Sequence, residues 1–219
     1  CMINSVLMLK GLSQPQRNFW DKRICFINSQ RFAMGDVFRS LKGKLLIDGG
    51  DLAGSFFGRS VVLLCQHSSE GAFGLVLNRC TGKTVGEMVL EDFPENINEQ
   101  NLSIGGPVQS QAMSFLHSDG FLPDANVMPN LSLEHSMDEL VELGASYSAT
   151  KQIRVFAGYS GWGPGQLEDE MKRNAWLTHE ANIDHVFSIQ PEKLWREVMI
   201  QMGGVHRLMA DGPEDISWN

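Results

Sequence analysis

The sequence has no run approaching the roughly 18 consecutive apolar residues needed to cross a membrane as a helix, and no basic, apolar and small-residue succession typical of a secretory signal. The cytoplasm is the expected compartment, with no membrane association. Cysteine is scarce: Cys1, Cys25, Cys65 and Cys80 are widely separated with no CxxC, which excludes a zinc cage and a dense disulfide frame. A P-loop lysine motif, HExxH and HxH are all missing, as are internal repeats and low-complexity tracts. Neither a metal nor a cofactor is expected.

Charge is unevenly spread. Of a net charge of -8, residues 1–44 carry eight Lys/Arg against Asp21 and Asp36, or +6, leaving -14 for the rest. An acidic body repels phosphate backbones, so direct nucleic-acid binding is disfavoured. Residues 1–36 lack steady periodicity and read as a weakly ordered basic leader or a non-native extension. Met34-Gly35-Asp36 could itself be a start. Cys1 fits a processed lipoprotein terminus or an upstream frame. The basic composition also suits a transit peptide, but the apolar Val6–Leu9 cluster breaks the required amphipathic pattern. The folded domain is placed at 37–212, with 213–219 as a tail.

From Lys44 onward, KLLID (44–48), VVLLC (61–65) and AFGLVLN (72–78) are short apolar runs bounded by turn residues, which predicts buried strands. SSEG joins the last two as a hairpin. That pairing separates Cys65 from Cys80 by roughly 23 Å at strand rise, too far for a disulfide. Thr84–Glu87 and Ser136–Glu139 have the S/T-x-x-E form and predict helix starts, the second helix stopping at Gly144 with Met137, Leu140 and Val141 on one face. NLSIGG (101–106), MSFLH (113–117), IRVFAGY (153–159), WLTHE (176–180) and HVFSI (185–189) read as strands, with one more possible within 119–134. A final helix runs from Pro191 to Gly203, its Leu194, Trp195, Val198, Met199 and Met202 facing the sheet. Strands do not alternate strictly with helices, so the fold class is α+β with a mixed sheet.

The segment GYSGWGPGQLEDEM (158–171) carries the most chemistry. A nucleophile elbow needs G-x-S-x-G; Ser160 is in place, but Trp162 occupies the fifth position, where strand and helix meet too closely for a large side chain. A phosphate cradle would use the glycine N–H groups, yet Glu168, Asp169 and Glu170 already compensate that helix start. The segment therefore reads as a stiff strand-to-helix turn capped by its own carboxylates, which presents Trp162 and Gln166 to a ligand or buries them as a lock. Cys65 and His67 would share a strand face at period two, allowing a Cys–His pair; a buried cysteine beside a strand-end histidine is the plainer alternative. His179 and His185 are the other spaced pair, and Glu134-His135 stands alone. Arg59, Asn78 and Arg79 bracket the hairpin, Gly105-Gly106-Pro107 forms a rigid turn, and His117 ends a strand. These strand ends either tie loop carbonyls or build a convergent polar pocket.

GKLLIDGGDLAGSFFGRSVVLLCQHSSEGAFGLVLNR, then GGPV, FLH, GYSGWGPGQLEDEM, AWL and PEKLW follow in an order and spacing that resembles the AlgH/YqgE family of uncharacterised bacterial proteins, over about Gly43 to Gly203. The resemblance implies a single α+β domain whose mixed sheet curls into a partly closed barrel with flanking helices. It implies no established reaction; the family's description as a transcriptional regulator rests on a link to alginate control. Relatives often carry Ala at the position of Ser160, which weakens a catalytic serine. They also tend to have small residues and proline where this chain has Asp48-Gly49-Gly50, and an acid where it has Gln66. The expected function is a non-enzymatic regulatory or ligand-binding protein with an unknown protein or small-molecule partner. Its candidate site is Arg59, His67, Asn78, Arg79, Gly105, Gly106, His117, Trp162, Gln166 and Glu168. A hydrolase or transferase using Ser160 or Cys65 with a nearby histidine is the competing expectation, and a protein-interaction module is the third.

Overall fold

The computed structural model describes residues 38–90 and 93–212; the predicted leader and the 213–219 tail lie outside them. Nine strands form one mixed sheet. Along its main path the order is β4 (Cys80–Thr84), β5 (Asn101–Ile104), β8 (Gln152–Trp162), β3 (Gly71–Val76), β2 (Val61–Ser68), β1 (Lys44–Asp48) and β9 (Trp176–Glu180), while β6 (Val108–Ser118) pairs with β8 and β7 (Leu131–Glu134). The β5–β8 pair is parallel and the others are antiparallel. The partly closed barrel is not found. The path ends at β4 and β9, which do not pair with each other, and the sheet branches at β8 instead of curling shut.

Continuous apolar runs arise because β1–β3 are covered on both faces. Leu45, Ile47, Val61, Leu63, Leu75 and Leu77 face a core built with α5 (Ile183–Phe187) and α6 (Pro191–Met202). The alternate residues Leu46, Val62, Leu64 and Val76 face a smaller core with α4 (Gln166–Lys172), Trp162 and Trp176. A third core sits under α1 (Val85–Met88), α2 (Glu95–Asn98) and α3 (Met137–Ala145). The SSEG hairpin forms, with Ser68 opposite Gly71. Both expected helix starts also form: Glu87 accepts from the Thr84 N–H, and the Ser136 hydroxyl from the Glu139 N–H. Val141, expected on the buried face of α3, is exposed.

HVFSI is not a strand. Asn182 accepts from the His185 N–H and His185 Nδ1 accepts from the Asn182 N–H, a reciprocal cap in which histidine takes the usual place of glutamate and starts α5. Sequence reading also missed β4, α2 and α7 (Gly204–Ala210), all short and weakly apolar.

Candidate functional site

Strand β8 runs through Ser160 to Trp162, so the turn of GYSGWGPGQLEDEM shrinks to Gly163-Pro164-Gly165, with Gly165 at φ +73°. The Gln166 side chain caps this turn by accepting from the Gly163 N–H at 3.1 Å. The carboxylates that follow turn elsewhere, correcting the expectation that they cap the helix. Glu170 Oε2 accepts from the indole N–H groups of both Trp162 and Trp176, each at 2.8 Å, and its Oε1 accepts from the Gln166 amide at 3.0 Å. One carboxylate thus fixes two tryptophans and the turn. The rings meet edge to face at 6.1 Å, and Phe57 packs on Trp176 at 5.6 Å. Beside them opens a cleft of about 360 Å³, lined also by Leu52 and Phe57 and by the charged Asp51 and Arg173. Of the expected site residues, Trp162 and Gln166 line this cleft.

His67 and Glu168 meet beside it. The Leu41 N–H donates to His67 Nδ1 at 2.9 Å, which places the ring proton on Nε2, and Nε2 donates to Glu168 Oε1 at 2.9 Å. Both ring nitrogens are engaged, so the neutral imidazole has no lone pair left to act as a general base. The supposed Cys65–His67 pair fails for a geometric reason. Leu64 pairs with Gly74 and Gln66 with Phe73, so Cys65 is the extra residue of a β-bulge and the alternation flips after it. Cys65 points into the main core, while His67 joins α4 on the other face. The thiol donates to Leu63 O at 3.7 Å, and burial pushes its pKa well above the usual range. Ser160 is buried inside β8 and donates to Gly105 O at 3.2 Å. Neither nucleophile bonds a histidine, and neither faces an open cleft.

Arg59, Asn78 and Arg79 form a loop-tying network. Asn78 accepts from the Val61 N–H and donates to Arg59 O, Arg79 donates to Gly58 O, and Arg59 donates to Gly212 O while lying 4.8 Å over Trp195. Its centre is Asp48, which the sequence marked as a departure from relatives but not as a site residue. This buried carboxylate accepts from the N–H groups of Gly50, Leu52 and Arg59 at 2.9, 3.1 and 2.7 Å, holding the 49–59 loop that carries Phe57 to the cleft. An aspartate followed by Gly-Gly after a strand is the signal that could have revealed it.

Gly105 and Gly106 mark a crossing of backbones. A Cβ on Gly105 would lie 2.3 Å from Gly158 O, and one on Gly106 2.2 Å from the Tyr159 carbonyl. His117 lies apart from all of these, in a groove with Glu134. Burial lowers the His117 pKa, against a smaller opposing effect of Asp119; burial, then Glu139, raises that of Glu134. The ten expected residues therefore occupy separate places rather than one pocket.

Comparisons with known proteins agree with this architecture. A family model described as AlgH-like matches residues 45–207. A UPF0301 protein of Chlamydia pneumoniae is 35% identical over 182 residues, covering 81% of this chain and 95% of the relative. One from Chlorobium luteolum is 37% identical over 179 residues, covering 80% and 93%. The solution structure of the AlgH protein from Pseudomonas aeruginosa superposes with a TM-score of 0.63 at 28% identity, covering 81% of this chain and 98% of that one. A crystal structure of a Corynebacterium diphtheriae protein shares the fold, with a TM-score of 0.66 at 23% identity over 80% of this chain and 94% of that one. By sequence and by fold, the chain belongs to the AlgH-like family.

Proposed function

We infer that the protein is a non-enzymatic, cytoplasmic ligand-binding protein with an indirect regulatory role, and that its ligand enters the cleft beside Trp162 and Trp176. The supporting observation is the Glu170 clamp, which orders two indoles and an amide beside an open cleft of about 360 Å³. Ordered aromatic walls with a few polar groups suit a small ligand with an apolar body and a polar edge. Asp51 and Arg173 are the charges available to that edge. The buried, carbonyl-bonded Ser160 and Cys65 argue against the hydrolase alternative.

A thermal-shift and tryptophan-fluorescence screen over nucleotides and metabolites tests this reading. A ligand present at about 100 times its Kd should stabilise the fold by about 2.7 kcal/mol. Phe57→Ala should weaken that ligand about tenfold, since truncating a packed aromatic anchor typically removes upward of 1 kcal/mol. Submicromolar binding of duplex DNA at physiological salt, or a ligand indifferent to Phe57, would overturn it.

One observation favours interaction with a protein partner. Asp119 accepts from the hydroxyls of Ser148 and Thr150, joining two loops that carry Phe121, 81% exposed, and Tyr147, 94% exposed. Exposed aromatics carried on tied loops are the residue type that anchors protein interfaces. Loss of a captured partner on Phe121→Ser/Tyr147→Ser, with fold retained, would support this second reading.

A further inference from the structure

The polar groups still uncommitted in the tryptophan cleft narrow what it can hold, on the reading that this cleft is the ligand site. Glu170 lines it but has both oxygens engaged, by two indole N–H groups and the Gln166 amide, and Gln166 Oε1 is taken by the Gly163 N–H. Two charged side chains remain. Asp51 is exposed, and its carboxylate bonds nothing among the described residues. Arg173, exposed just past the end of α4, donates Nε–H to Asp169 O at 3.2 Å and keeps both terminal NH2 groups unbonded among the described residues. Asp169 feels the Arg173 charge, but its own carboxylate is bridged by Lys172 at 2.8 Å. Asp51 and Arg173 do not pair with each other, so one cleft presents an anion and a cation that have not neutralised one another. The remaining side chains of its lining are Leu52, Phe57, Trp162, Ala175 and Trp176.

We propose that the cleft binds a free α-amino acid with an apolar side chain, whose ammonium pairs with Asp51, whose carboxylate takes the forked donors of Arg173, and whose side chain packs against Phe57 and Trp176. The charge pattern carries the choice of ligand. A nucleotide would set its phosphates against a single arginine on a chain of net charge -8. A sugar needs many hydrogen-bonding groups, and the Gln166 and Glu170 side chains are spent on each other, the turn and the indoles. A simple organic cation would meet Arg173, and a simple carboxylate would meet Asp51; a ligand bearing both charges answers both. Either end of a peptide carries only one of them. A volume of about 360 Å³ lies near the lower end of the range for small-molecule sites, about 300–1,000 Å³, which suits a ligand of amino-acid size.

Calorimetric titration of the full chain with L-phenylalanine and L-leucine, with the indole N–H resonances followed by NMR, tests this. Saturable one-to-one binding is expected, with the Trp162 and Trp176 indole signals moving. Asp51→Asn and Arg173→Gln should each weaken binding about tenfold, and so should removal of one ligand charge, in phenethylamine or in 3-phenylpropionate, as a charge-assisted bond is lost. Both substituted positions are exposed, so the variants keep the fold. Phenethylamine or 3-phenylpropionate binding as tightly as L-phenylalanine, or an affinity unchanged in both variants, would overturn the amino-acid assignment; where that binding still depends on Phe57, the cleft itself stands. Silence from all four compounds would overturn the assignment as well, while the cleft answers to the wider ligand screen. L-phenylalanine binding that ignores Phe57→Ala lies outside the cleft and would overturn both.

Discussion

Glu170 is a single side chain on which two core aromatics depend. Its removal in Glu170→Ala would leave the Trp162 and Trp176 indole N–H groups without their acceptor, and a buried donor left unpaired costs about 1–3 kcal/mol. A loss of about 3 kcal/mol in urea unfolding, with a changed tryptophan emission maximum, is expected; a loss below about 0.5 kcal/mol would refute the clamp. The same denaturation assay tests how β8 packs against the Gly105–Gly106 turn. Ser160→Ala removes one hydrogen bond from Gly105 O, which still accepts from the Val76 N–H, and should cost about 1 kcal/mol. Gly105→Ala drives a methyl to 2.3 Å from Gly158 O and should cost about 3 kcal/mol or prevent folding. Cysteine chemistry should divide in the same way. Iodoacetamide on the native chain should label exposed Cys80 and spare buried Cys65, with peptide mapping as the readout.

Elements were legible where one signal dominated. β1, β9 and α6 emerged at or near their bounds because apolar periodicity and turn residues agreed. The bulge at Cys65 was not legible, since VVLLC is apolar on both faces and a one-residue slip leaves the pattern unchanged. That slip decided whether Cys65 and His67 could meet. HVFSI misled because β-branched and aromatic residues favour strands, while the cap that overrides them, Asn182 with His185, uses an unusual partner. Asn182→Ala should therefore cost about 1 kcal/mol and raise amide exchange across 183–187, whereas a misread strand would show no such local effect. At the candidate site the sequence singled out Trp162 and Gln166 but not Glu170 or Asp48. Their importance arises from convergence: Trp162 and Trp176 reach one carboxylate from different strands, and Asp48 gathers donors from 11 residues of following loop.

At the scale of the whole molecule, an open branched sheet buries titratable groups at several depths, and their shifts set how stability follows pH. Burial lowers the pKa of both His117 and His185, outweighing Asp119 at the first and Gln201 at the second. In the unfolded chain both return to about 6.5. Between the folded and unfolded values the unfolded state binds more protons, so stability rises with pH there and is fully present above about 6.5. It is lost as pH falls through that window. Glu134 acts in the opposite sense, because its raised folded pKa makes the native state the better proton binder just above the ordinary carboxylate value. Asp119, Asp169 and Glu180 are lowered by hydrogen bonds to Thr150, Lys172 and Lys44, so their contributions disappear only as pH falls below the carboxylate range. They are exposed and screened by salt. These two histidines therefore act on the neutral side: Tm should rise as the pH is raised toward about 6.5 and level off above, with little dependence on salt. Histidine titration by NMR should place the midpoints of both His117 and His185 below 6.5. A Tm that is flat or falling over that interval, or midpoints above the free value, would show that neither ring is buried as described.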